Sequence, residues 1–265
     1  MSLQRLSYND DDMSKIGILD SGVGGLSILG AVRQRLPQAE ILYLADTVNF
    51  PYGEKTAEAV AGLTERGIKH LAERGYNDAI VLACNTASVS GLDRYRRDFP
   101  GLRLIGVTPL LDEARQMTKA GKIVLLATFA TIASDYLEAM KQLTSKDQIV
   151  YAQAAFEWVR MVEAGRIDDG LVADQVKTFA RYGVDTVVLG CTHFAFLAPA
   201  IRTAVPSLQI IEPGPTIAAE LAAAVDGDGT GQTTYQVTGN SETFNRVASK
   251  LLGYTISAAN VLVSS

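Results

Sequence analysis

Two cysteines stand in near-copies of one motif, 107 residues apart. The first is Ile80-Val81-Leu82-Ala83-Cys84-Asn85-Thr86-Ala87; the second is Val187-Val188-Leu189-Gly190-Cys191-Thr192-His193-Phe194. Each is an apolar run, one small residue, a thiol, then an amide or hydroxyl. No other cysteine occurs in the chain. The plain reading of a free cysteine is a buried small hydrophobe. Matching contexts at two strand ends point instead to chemistry: two halves facing one site, each supplying an acid/base group. A thiol at a helix N-terminus meets exposed N–H groups and the positive end of the macrodipole, so its pKa is expected below the ordinary value of about 8.5. Asn85, Thr86 and Thr192 can donate hydrogen bonds to a carboxylate, and His193, two residues after Cys191, is a proton partner. The other histidine, His70, sits among Lys69 and Arg74 in a helical stretch and is expected at the surface. Metal and redox readings fail for lack of C-x-x-C spacing, so no metal site is expected. A Cys–His hydrolase uses one thiol and leaves the other unexplained.

Two further stretches could carry a site. Ile16-Gly17-Ile18-Leu19-Asp20-Ser21-Gly22-Val23-Gly24-Gly25-Leu26 runs from a strand through glycines into a helix. Such loops can cradle phosphate, but the glycines do not match G-x-G-x-x-G, no Gly-Lys-Ser/Thr follows, and Asp20 would repel an anion. A tight turn is the plain alternative; the functional one makes Asp20 and Ser21 site groups, because a carboxylate at a strand tip can orient a thiol or an ammonium. Asp46-Thr47-Val48-Asn49-Phe50-Pro51-Tyr52-Gly53-Glu54-Lys55 is either a surface loop or a segment whose N–H groups at Tyr52 and Gly53 face a ligand.

These residues need a scaffold. Near-continuous Val/Ile/Leu runs mark strands at 16–20, 40–45, 79–83, 102–107, 122–127, 148–152, 186–190 and 209–212. Segments of helical period alternate with them, so the fold is α/β with parallel sheets covered by helices on both faces. Cys84 lies 64 positions after the strand end at Asp20, and Cys191 lies 63 after the strand end at Thr128. A period this long fits two related lobes rather than a solenoid. Ligands in such sheets bind beyond the carboxyl ends of strands, where both cysteines fall.

With 265 residues, 48% hydrophobic and 20% charged, the chain has ample core material. Its formal charge of -5 argues against a nucleic-acid partner. No apolar stretch reaches the roughly 18 residues needed to span a bilayer. Residues 1–14 are polar, lack a secretory h-region and read as a flexible leader, which argues for a reducing, cytoplasmic setting.

The motifs Leu19-Asp20-Ser21-Gly22-Val23-Gly24-Gly25-Leu26, Pro51-Tyr52-Gly53-Glu54-Lys55, Ala83-Cys84-Asn85-Thr86-Ala87-Ser88 and Leu189-Gly190-Cys191-Thr192-His193 together resemble the bacterial glutamate racemase family, from Lys15 onward. The resemblance implies two flavodoxin-like lobes related by internal pseudo-symmetry, with the active site between them. The first lobe would hold 15–107 and 213–265, and the second 108–212. It implies cofactor-independent interconversion of L- and D-glutamate for peptidoglycan, in a homodimer. By motif position, Cys84 would take the α-proton from D-glutamate and Cys191 from L-glutamate, assisted by Asp20 and His193 respectively. Ser21, Tyr52, Gly53, Asn85, Thr86, Thr131 and Thr192 would hold the substrate, with Glu163 an additional acid near the second thiol. The chain departs from the family at Ala155-Phe156, where a Cys-Pro pair is common, at Glu212-Pro213-Gly214 and at Thr108-Pro109-Leu110-Leu111. An aspartate racemase and a non-catalytic acidic amino-acid binding protein are the competing readings; the second leaves the paired cysteines without a purpose.

Overall fold

The computed structural model describes residues 14–142 and 148–263. Residues 1–13 of the expected leader lie outside them, while Ser14 is buried and its hydroxyl accepts a hydrogen bond from Gly227 N–H (3.0 Å). The chain runs β1 (Lys15–Asp20), α1 (Leu26–Arg35), β2 (Glu40–Ala45), α2 (Ala57–Glu73), β3 (Ala79–Leu82), α3 (Asn85–Asp98), β4 (Leu104–Gly106) and α4 (Leu111–Met117). It continues through β5 (Lys122–Ala127), α5 (Phe129–Ile132), α6 (Asp135–Gln142), β6 (Ile149–Ala154), α7 (Phe156–Glu163), α8 (Asp169–Arg181) and β7 (Thr186–Gly190). It ends with α9 (Ala198–Ala204), β8 (Gln209–Ile211), α10 (Gly214–Ala222), β9 (Thr233–Val237), α11 (Ser241–Leu252) and β10 (Ala258–Asn260).

Two parallel sheets result, ordered β10-β9-β2-β1-β3-β4 and β6-β5-β7-β8. The segment β2-β1-β3-β4 of the first has the same order as the whole of the second. The repeat in the sequence is therefore a repeat in topology, with β1 matching β5 and β3 matching β7. β3 and β7 are buried at every position, which is why they carry no polar alternation. Each ends one or two residues before its cysteine, so both thiols sit at carboxyl ends of central strands.

All eight anticipated strands are present, with β4 and β8 shorter than expected and β6 shifted to 149–154. The last three elements were not anticipated. β9 inserts beside β2, covering what would otherwise be an open edge, and α11 packs against β10 and α1. This corrects the reading of His70. It is buried under β9, where its Nε2 lies 2.7 Å from Gln236 Oε1, because the added strand roofs the face of α2 that the sequence leaves looking solvated. No helix of the described residues is long and apolar enough to cross a membrane.

The added helix also braces the loop after β1. Phe244 of α11 is buried and stacks on Tyr43 (ring centroids 6.2 Å, 29° between planes), and the Tyr43 hydroxyl donates to Gly22 O at 2.8 Å. Replacing Phe244 by Ala is expected to cost about 3–5 kcal/mol through the cavity it leaves. Urea denaturation measures this; a loss below about 1 kcal/mol would show that α11 does not brace the loop.

Candidate active site

Asp20 ends β1, Cys84 follows β3, Thr128 follows β5 and Cys191 follows β7. The two sheets point these ends at one another. Ser21, Tyr52, Gly53, Cys84, Asn85, Thr86, Thr128, Cys191, Thr192 and His193 line a single cavity between the lobes. Its free volume is about 20 Å³, room for roughly one water molecule. A wider groove of about 780 Å³ around Ile167, Lys177, Phe196 and Lys250 contains neither thiol.

The two thiols have different neighbours. Cys84 Sγ lies 3.8 Å from Ser21 Oγ, and the charge of Asp20 acts on it. Burial and that charge push the Cys84 thiol up to about 12. The expected depression by the helix terminus is thus overturned: the Ala87 N–H does donate to the sulfur, but desolvation outweighs it. Burial likewise lifts the Asp20 carboxyl from 3.8 to about 6, against the charge of His193 and the Gly22 N–H that donates to Oδ1 at 2.7 Å. Cys191 Sγ lies 3.6 Å from His193 Nδ1, and His193 Nε2 lies 2.8 Å from Glu163 Oε2. Burial disfavours charge on His193, but hydrogen bonds to Cys191 and Glu163 together prevail and hold the imidazole well above its ordinary value.

The Gly-rich loop is a lobe-to-lobe seat. Val23 N–H donates to the same Glu163 Oε2 (3.1 Å) that meets His193, and the Ser27 hydroxyl lies 3.0 Å from Thr192 O. A Cβ on Gly22 would stand 2.5 Å from Glu163 Oε2, and one on Gly24 would collide with His193 Nδ1. Glycine is required here because the second lobe's side chains occupy the space. Across the cavity, hydroxyls of Thr86, Thr128 and Thr131 form a buried triangle with edges of 2.9, 3.0 and 3.5 Å. Neither polar atom of the Asn85 side chain has a partner among the described residues, although both are buried. A buried amide in that condition is suited to a polar ligand.

Of the residues anticipated from the sequence, Ser21, Tyr52, Gly53, Cys84, Asn85, Thr86, Cys191, Thr192 and His193 line this cavity, whereas Asp20, Thr131 and Glu163 stand behind the lining, within hydrogen-bond reach of Thr192, of Thr86 and Thr128, and of His193 respectively. Tyr52 donates its hydroxyl to Asp46 Oδ2 (2.7 Å). The sequence reading missed the contacts of Val23 and Ser27, the place of Thr128 in the hydroxyl triangle, and the wall residues Phe156 and Val159. Thr128 had a signal, as the polar strand end matching Asp20; the others are meetings between distant segments. Among the described residues no His/Cys/Asp/Glu cluster could hold a metal ion.

Residues 27–221 match the family described as Asp/Glu/Hydantoin racemase. The chain belongs to that family. It is therefore an isomerase. It is 36% identical over 217 residues to a glutamate racemase of Ectopseudomonas mendocina, covering 80% of this chain and 82% of that one. Its fold matches a solved glutamate racemase of Bacillus anthracis with a TM-score of 0.82 at 29% identity, covering 95% and 98% of the two chains. A glutamate racemase of Escherichia coli, solved with L-glutamate and the activator UDP-MurNAc-ala, matches with a TM-score of 0.78 at 27% identity over 90% and 95%.

For this racemase, the Asp20 carboxyl gives a stability test with a definite sign. Its folded pKa of about 6 exceeds the unfolded 3.8, so ionisation costs the fold up to about 3 kcal/mol, a cost absent below pH 4 and complete above pH 6. Asp20→Asn keeps the acceptor for Gly22. It is expected to be more stable than the parent at pH 8 and equally stable at pH 3.5. Equal stability at both pH values would contradict the burial argument.

Proposed function

We propose that the chain interconverts L- and D-glutamate without a cofactor, using Cys84 and Cys191 as a pair of opposed acid/base groups. The observation that carries this reading is the sharing of one cavity by two thiols from equivalent strand ends, each with its own proton partners. Relatives named glutamate racemase support glutamate as the substrate. The buried Asn85 amide and the Thr86–Thr128–Thr131 hydroxyls supply donors for its carboxylates.

Inversion at Cα removes hydrogen from one face and returns it on the other. With L-glutamate, Cys191 as thiolate takes the α-hydrogen as a proton, with the protonated His193 beside it to balance negative charge on sulfur. The C–H electron pair passes into the α-carboxylate, giving an ene-diolate. Cys84, as thiol, then delivers its proton to the opposite face, leaving Cys84 as thiolate. With D-glutamate the roles exchange, and Asp20 and Ser21 are the groups that serve Cys84. The cost lies in the dianionic intermediate, which fixed donors in a water-poor site stabilise. Burial fits the same need: a thiol lifted to about 12 is a strong base once ionised, and the substrate ammonium offsets its charge. We further propose that the enzyme acts in the cytosol as a homodimer and supplies D-glutamate for peptidoglycan.

Cys84→Ala and Cys191→Ala are each expected to lower kcat for both directions by at least about 10²-fold, the scale of a lost acid/base group, with the denaturation midpoint preserved. Polarimetry with L-glutamate and with L-aspartate measures this and the preference between them. Parent-level turnover by either variant would refute the two-thiol reading, and faster turnover of aspartate would reassign the substrate.

A further inference from the structure

The cavity between the thiols has only about 20 Å³ of free volume, so no amino acid reaches the thiols unless a wall moves. One side of the cavity abuts a much larger open hollow of about 710 Å³, lined among others by Lys55, Phe129, Ser134 and Asp135. Gly53 and Phe156 are the residues that line both spaces. Gly53 has no side chain to swing, and its Cα is pressed against Thr128, where a Cβ would come within 2.8 Å. Phe156 is the side chain that can open the partition. It begins α7 and is only partly buried.

Phe156 is held in place from outside. Arg160, one turn further along α7, sets its guanidinium carbon 4.4 Å from the Phe156 ring centroid, a cation–π contact between residues on one helical face. The same guanidinium stands 3.9 Å from Glu54 Oε1, on the opposite lobe and adjacent to Gly53. Both partners of this ion pair are more than half exposed (68% and 51%), so the pair is weak. Weakness suits a fastening that must release at every turnover. A substrate carboxylate arriving in the hollow competes with Glu54 for Arg160.

We propose that substrate reaches the thiols through this hollow, that Phe156 is the door, and that Arg160, fastened to Glu54 across the lobes, is its latch. The proposal rests on the racemase reading only for what passes through. That the thiols lie behind Phe156 is independent of turnover.

The test is the alkylation rate of the chain's two cysteines by iodoacetamide and by the bulkier N-ethylmaleimide, followed for each thiol by mass spectrometry on the full-length protein. Phe156→Ala is expected to speed alkylation of both thiols at least tenfold, with a larger ratio for the bulkier reagent, as a steric barrier requires. Arg160→Met and Glu54→Gln are each expected to speed it severalfold. Phe129→Ala, which lines the hollow but not the cavity, is expected to leave it unchanged, and saturating glutamate to slow it in the parent. Far-UV circular dichroism checks that each variant is folded; should Phe156→Ala not fold, the exposed Arg160 and Glu54 positions carry the test. Unchanged rates in a folded Phe156→Ala, unchanged rates in both Arg160→Met and Glu54→Gln, or equal acceleration by Phe129→Ala would each overturn the proposal. Absence of glutamate turnover by the parent would overturn the racemase reading, while the order of alkylation rates would still decide whether Phe156 is the door.

Discussion

One oxygen ties the two lobes together. Glu163 Oε2 receives Val23 N–H from the first lobe at 3.1 Å and meets His193 Nε2 of the second at 2.8 Å. Through His193 the contact reaches Cys191 Sγ. The second thiol's hydrogen-bonded neighbours are therefore complete only when the lobes are closed upon each other. The glycines at 22 and 24 enforce the distance, because any side chain there would occupy the space of Glu163 or His193. A mostly buried carboxylate and imidazole are stable together because each satisfies the other and a backbone donor completes the set. Remove the first lobe's N–H and the set is incomplete.

The repeated topology delivers two thiols to equivalent places but gives them unlike surroundings. Cys84 is served by Asp20 and Ser21, acidic and neutral groups in a fully buried pocket. Cys191 is served by an imidazole backed by a carboxylate. Pseudo-symmetry accounts for the position of the sulfurs, while their partners differ in origin: Cys191 meets His193, two residues on, whereas Cys84 meets Ser21 and the charge of Asp20 from the end of β1. The proposed reaction, running both ways through one intermediate, needs opposed groups of comparable reach. It does not need identical groups, since each face of an amino acid presents a different arrangement of ammonium and carboxylate.

Much of this was legible in the sequence. Fully buried parallel strands announce themselves as Val/Ile/Leu runs, and β1, β3, β5 and β7 carry the four polar strand ends that build the site. What stayed hidden depends on tertiary contact. β9 reads Thr233-Thr234-Tyr235-Gln236-Val237, too polar and short to stand out, and only its pairing with β2 and β10 makes it a strand. With β9 unread, the burial of His70 could not be foreseen. The direction of the Cys84 shift failed for a similar reason: a helix start is visible in sequence, whereas the depth at which it is buried is not. Val23 and Ser27 matter through partners on other segments, 140 residues away for Val23 and Glu163 and 165 for Ser27 and Thr192.

The central claim is that hydrogen leaves one face of the α-carbon to one group and arrives on the other face from a second group already charged from solvent. The most direct measurement is the fate of hydrogen in the earliest turnovers of L-glutamate in heavy water. Opposed groups require that the first D-glutamate formed carry deuterium at Cα while the remaining L-glutamate carries none. D-glutamate that keeps its original hydrogen would mean one group working both faces, and would contradict the division of labour between Cys84 and Cys191.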